Sequence, residues 1–268
     1  MKKRHGFTLI ELLVVISIIA LLMSILMPSL NRARKQARKV ACRMNLRQWG
    51  IGATGYAHDN KDQINPGYDL AYWVYELKPY MTYGDEKTHK KDDVSFCPSA
   101  TKPRWMPDGS PGKGNGLGPL SAWGKKGGDG YLSGMAGSYS LNAWVYNVTF
   151  RDEDGGHQLK KQWGTFLVKG AHNIPLIGGG YHHTRYPEAW DDPPEFEVGA
   201  EYHGLGSFAV NRHNGTVNWV FLDGGVRSVG LKELWTLPWH REYKADYATR
   251  TSRGPIQWPD WMKGFRDY

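Results

Sequence analysis

The sequence predicts an α+β protein in which one long N-terminal α-helix packs on an antiparallel β-sheet elaborated by long loops. Three observations carry that expectation. Residues 7–27 are a 21-residue apolar run with one charge, Glu11, and an amphipathic, strongly basic stretch continues it. The segment SFAVNRHNGTVNWVFLDGGVRSV is interrupted by Asn214-Gly215 and Asp223-Gly224-Gly225. Asn, Asp and Gly tolerate positive φ, so these are tight-turn signals separating strands at about 207–212, 216–222 and 226–229, an antiparallel meander. Between helix and meander, residues 101–130 hold nine Gly and four Pro without any period, the composition of a long surface loop.

In chain order, residues 1–6 (MKKRHG) form a basic leader. Residues 7–28 are a helix of roughly 30 Å at about 1.5 Å per residue, enough to cross a bilayer core. The run is too long for the apolar core of a cleaved secretory signal, and no A-x-A-like site follows it. Glu11 inside such a helix needs the membrane surface or a cationic partner. Pro28 removes one backbone donor and permits a kink. Over 29–60, Leu30, Ala33, Ala37, Ala41 and Met44 recur at helical spacing. Arg32, Lys35, Lys39, Arg43 and Arg47 take the other faces, so an amphipathic half-helix lies against a head comprising 61–268. Gly50, Gly52 and Gly55 weaken this helix near its end, and residues 60–66 stop it.

Within the head, 68–83 reads as a helical turn broken at Pro79. Residues 94–98 read as a short strand or extended piece that delivers Cys97 to the long helix. Strands are expected within 138–150, at 165–169 and at 173–177, a Pro-rich loop at 181–198, and a helical turn at 231–237. The central strand of the meander turns Val217, Trp219 and Phe221 to one face and Val220 and Leu222 to the other.

The net charge of +8 falls to +5 without the leader, and most of that sits on the helix, so a whole-surface nucleic-acid binder is not implied. The basic helix face suits solvent or lipid headgroups, neighbouring subunits, or phosphates. Twelve Trp and fifteen Tyr suit either a loop-rich core or sugar faces. The two cysteines, Cys42 and Cys97, fit no metal spacing. In an oxidising compartment they are expected to form a disulfide, stabilising by about 4 kcal/mol; the alternative is two unrelated buried thiols.

Gly6-Phe7-Thr8-Leu9-Ile10-Glu11-Leu12 behind a basic leader, with Pro28 beyond, resembles the type III signal of type IV pilins and type II secretion pseudopilins. The resemblance spans about fifty residues and implies a pilin-like fold. It also implies that a membrane prepilin peptidase cuts between Gly6 and Phe7 and N-methylates Phe7. Glu11 then neutralises the terminal amine of a neighbouring subunit in a filament. His213, nine further residues and Asp223-Gly224 resemble the H-X9-DG signature of large prepilin-like families, although Gly225 stands where many relatives have His. Implied partners are the peptidase, like or related pilin subunits and the inner membrane, with glycan or secreted cargo as candidate ligands and nucleic acid not expected. The location implied is single-pass in the inner membrane with the head in the periplasm, or at the cell surface within a filament. The positive-inside rule opposes it, with three basic residues before the span and seven after it; leader processing and the cysteine pair favour export.

No G-x-S-x-G, H-E-x-x-H or P-loop occurs, so no enzyme is expected. His213 and Asp223 would stand about 23 Å apart at the ends of their strand at 3.3 Å per residue and are read as structural. Asp152 and Asp154 offer a weak calcium loop; otherwise no cofactor is expected. His182-His183 is read as loop, Glu195 and Glu197 lack an evident partner, and Trp123 and Trp190 are the candidates for a tethered glycan-binding module.

Overall fold

A computed structural model describes residues 8–64, 73–81, 94–103, 120–124, 136–147, 159–197, 204–244 and 255–268. Two units divide the chain after Arg38, and helix α1 (Leu9–Asp59) contributes to both. In the first unit α1 is apolar from Leu9 to Met27 and exposed throughout, and the helix assignment continues through Pro28.

In the second unit α1 supplies Cys42, Leu46, Trp49, Ala53 and Tyr56 to the core. Those positions recur every three or four residues and so share one face. This stripe differs from the expected one, since Met44 is exposed. The face chosen carries the larger volumes and the glycines. At Gly50 a Cβ would lie 2.8 Å from Val220 Cγ2, and at Gly52 2.8 Å from Met81 Cγ. The glycines therefore permit close packing rather than merely weakening the helix. α1 ends at Asp59, where Lys61 and Asp62 adopt positive φ.

The remaining elements are α2 (Trp73–Leu77), β1 (Lys102–Pro103), β2 (Ser121–Gly124), β3 (Ala136–Gly137), β4 (Tyr139–Asn142), β5 (Pro175–Gly179), β6 (Thr184–Arg185), β7 (Thr216–Phe221), β8 (Val226–Gly230) and α3 (Asp260–Lys263). β1, β2 and β3 make a small sheet, and the main sheet runs β6-β4-β5-β7-β8. The fold is thus α+β, as expected, but the sheet is mixed, because β4 pairs β6 in parallel. That parallel edge falls in the 181–198 segment expected to be loop.

β7 divides the core in two. Val220 and Leu222 join the α1 side. Val217, Trp219 and Phe221 join Trp144, Phe208, Trp235 and Trp239 on the other. The alternation read from the sequence is observed, and both faces are buried. Most of the tryptophans seated here serve packing: Trp219 lies 5.0 Å from both Phe208 and Trp239 by ring centroid. Across the sheet from it, Gly178 is the register partner of Trp219.

The turns differ in outcome. After β7, Gly224 has φ +77° and its N–H donates to Phe221 O, while Phe221 N–H donates to Gly225 O. That is a type I turn closed by a left-handed glycine. Gly224→Ala is expected to cost about 1–2 kcal/mol through the left-handed penalty, readable by thermal unfolding of the full chain in detergent. Before β7, Asn214 and Gly215 do adopt positive φ, but they do not join two strands. Residues 204–207 form a 3₁₀ turn and 208–211 no strand. The sheet position beside β7 is taken by β5, so 207–212 has no ladder to join. Residues 165–169 and 94–98 are likewise turns and bends rather than strands. Trp73–Leu77 followed by a 3₁₀ turn through Pro79 and the 3₁₀ turn Lys232–Thr236 match the expected helical turns.

A buried ionic cluster pins the second face. Glu188 accepts from Lys161 Nζ at 2.8 Å and lies 3.0 Å from His240 Nε2. Pairing at this depth is what makes the charges tolerable.

Candidate functional site

Two regions carry chemistry. The first begins α1. Glu11 Oε2 accepts from Thr8 N–H at 2.8 Å and from Thr8 Oγ1 at 2.7 Å, and Glu11 N–H donates back to Thr8 Oγ1 at 3.3 Å. This reciprocal arrangement is a capping box, satisfying amides that the helix start leaves without partners. The spacing Thr8-x-x-Glu11 signals it, and the sequence reading missed it. Gly6 and Phe7 lie outside the described residues. Beyond the cap, Leu9 to Met27 exposes large hydrophobic side chains on every face, and this helix is long and apolar enough to cross a membrane.

The second region joins three distant segments. Cys42 on α1, Cys97 in the 94–100 turn and His213 before β7 are all buried. Their two Sγ atoms and an imidazole nitrogen lie within 4.8 Å of one another. Cys97 Sγ is 3.4 Å from His213 Nε2, and Tyr139 Oη donates to Cys42 Sγ at 3.4 Å. Arg212 donates to Ser138 O at 2.6 Å and to Gly180 O at 3.1 Å, which seats a positive charge near Cys97.

The Cys97 thiol is pushed below the usual range, first by its hydrogen bond with Cys42, with further help from His213 and the Arg212 charge. Burial pushes Cys42 up, reinforced by Cys97. Tyr139, wholly buried, is also pushed up by desolvation. The juxtaposition of Cys42 and Cys97 was legible in the sequence, but the expected disulfide is not there. Both are free thiols, with the His213 ring beside Cys97.

His213 thus flanks a turn and also lies against Cys97. Asp223 stands at the far end of β7, where its carboxylate accepts from Gly225 N–H at 2.8 Å. The two ends of the H-X9-DG segment therefore do not share a site.

The other candidates resolve as follows. Asp152 and Asp154 lie outside the described residues. The His182 and His183 rings lie 4.0 Å apart by centroid, tilted by 37°, just before β6. Glu197 has a partner after all, accepting from Asn211 Nδ2 at 2.8 Å. Trp123 is half-buried, donates to Tyr139 O at 2.8 Å and covers Gly137, so its ring is engaged in packing. Trp190 is 48% exposed, with Lys161 Nζ 4.7 Å from its ring centroid.

The family model for the prokaryotic N-terminal methylation motif matches residues 1–27. No curated protein and no solved structure matches the chain. The N-terminus is therefore a type IV pilin-like prepilin signal, the mark of a prepilin-peptidase substrate, and the helix that begins within it is long and apolar enough to anchor the protein in a membrane. The match stops well short of His213 and does not extend to the head.

Proposed function

We propose that the chain is a non-catalytic structural subunit that assembles through α1 into a type II secretion pseudopilus or a type IV pilus-like filament. The carrying observation is the methylation motif on a helix whose apolar surface none of the described residues covers. About twenty residues of uncovered hydrocarbon are stable only in lipid or against like helices. In this reading cleavage after Gly6 creates a new amine on Phe7, which is then methylated. The amine and the Glu11 carboxylate are tolerable in hydrocarbon only when paired. Pairing between subunits sets axial register, while the apolar stripe supplies adhesion. The head faces the periplasm, or the exterior once in a filament.

Intact-mass analysis of the membrane-extracted protein tests the processing step. The expected mass is that of residues 7–268 with one amine hydrogen replaced by a methyl group. Retention of Met1, or an unmethylated Phe7 in cells that contain the peptidase, would overturn the reading. Exposed Trp190 supports a second reading, a tethered glycan-binding module. It predicts glycan binding that Trp190→Ala abolishes without loss of filaments.

A further inference from the structure

We propose that Cys42, Cys97 and His213 form a binding site for one soft, thiophilic metal ion, Zn(II) or Cu(I), that ties α1 to the sheet. The donor set is what such ions select, two thiolates and an imidazole. The spacing also fits. Around a tetrahedral zinc, with Zn–S about 2.3 Å and Zn–N about 2.0–2.1 Å, sulfur and nitrogen ligands stand about 3.5 Å apart and two sulfurs about 3.8 Å. Cys97 Sγ and His213 Nε2 are 3.4 Å apart, and all three ligand atoms fall within 4.8 Å.

Nothing local in the sequence brings these atoms together. They arrive from the middle of α1, from a turn of the 94–100 segment and from the left-handed turn at Asn214, each held by independent contacts. Asn45 Nδ2 on α1 donates to Phe96 O at 2.9 Å, fixing the helix to the Cys97 turn. Thr216 Oγ1 donates to His213 O at 2.8 Å, fixing the histidine to β7. A surrounding shell is also in place, since the Tyr139 hydroxyl donates to Cys42 Sγ. Such outer hydrogen bonds orient metal ligands and stabilise their charge. The Arg212 guanidinium, seated on Ser138 O and Gly180 O, offsets negative charge brought by two thiolates.

Binding expels both thiol protons to water and leaves neutral imidazole as the third ligand. Three protein ligands suffice for trigonal Cu(I), whereas zinc needs a fourth donor, so the two metals are separable by the coordination they adopt. With either ion the site is structural. It is buried among core side chains, and its effect is to join segments that are 55 and 116 residues apart in the sequence. Either ion would also hold the thiols out of reach of oxidation.

The test uses the full chain in detergent, purified without oxygen and titrated separately with Zn(II) and with Cu(I). One equivalent of either ion bound per chain is expected, with the thiols shielded from alkylation until a chelator is added. Cys97→Ser and His213→Ala should each abolish that stoichiometric binding. Tyr139→Phe, which removes only the hydroxyl on Cys42, should weaken affinity by about 10–100-fold. Because the first two variants could fail to fold, the alkylation experiment is run on the unaltered chain. Thiols shielded until a reductant rather than a chelator is added, together with the mass deficit of a disulfide, would overturn the proposal. So would freely alkylated thiols with no metal bound at either titration.

Discussion

A chain carrying Glu11→Ala is expected to enter the membrane and lose its leader as the unaltered chain does, yet yield no sheared filament above background. Insertion depends on the apolar run, which the substitution only makes more apolar, and cleavage on the Gly6-Phe7 bond, which it leaves unaltered. Assembly, in the reading proposed, needs the carboxylate beside the Phe7 amine of a neighbour, and an ammonium left alone in hydrocarbon is costly. The capping box introduces a competitor, because Glu11 also closes the start of its own helix through Thr8. Glu11→Gln separates the two roles, since glutamine completes a capping box as glutamate does but carries no charge. If charge pairing sets the register, Gln behaves like Ala. Filaments restored by Gln would show that the cap is what assembly needs, and normal filaments with Ala would remove the residue from the mechanism altogether. In the cap both bonds from Thr8 go to Oε2, which leaves Oε1 outside it.

The largest expected stability effects sit where β5 pairs with β7. Trp219→Ala should destabilise the head by about 3–5 kcal/mol, the usual cost of deleting a large buried aromatic. That corresponds to a fall in melting temperature on the order of 10 °C for a unit of this size. The indole N–H of Trp219 has no hydrogen-bond partner among the described residues, so packing against Phe208 and Trp239 is what holds the ring. Gly178→Ala should cost about 1–3 kcal/mol, toward the upper end for overpacking. A methyl there would land inside the indole ring of Trp219, which its neighbours prevent from retreating. The two effects must interact. In a Trp219→Leu background, Gly178→Ala should cost markedly less, and the coupling is measurable by thermal unfolding of the four full-length chains in a double-mutant cycle. Additive costs would mean that the clash is relieved by movement of β5 instead.

The parts of this fold that the sequence discloses are those decided by local rules. A 21-residue apolar run, a glycine turn after Asp223 and the alternation of Val217 to Leu222 each depend on chain geometry within a few residues. Segment 207–212 looked like a strand for the same local reasons, but strandhood requires a neighbour. β5 occupies that neighbour's place through a pairing between residues some forty positions apart. Gly50 and Gly52 read as helix breakers because the surfaces they admit, Val220 and Met81, come from elsewhere in the chain. The same limit hid the third member of the thiol cluster. That Cys97 returns to Cys42 could be read from two cysteines alone, whereas His213 joins them only through the tertiary path of the turn before β7. Thr8 and Glu11, by contrast, were a local pattern open to reading. The cap is masked there because the same carboxylate also suggests a partner for the terminal amine.

The central place of β7 also bears on when the head can form. The inner face of α1 precedes β7 by more than 150 residues yet shares its core with Val220 and Leu222, and β8 completes the sheet only at Gly230. Until the ribosome has passed that residue, Gly50 lacks the Val220 surface that it is shaped to meet. Folding that waits on such distant pairings is slow and leaves apolar chain exposed meanwhile. A truncation before residue 216 should therefore leave a polypeptide that proteases degrade rather than a smaller head.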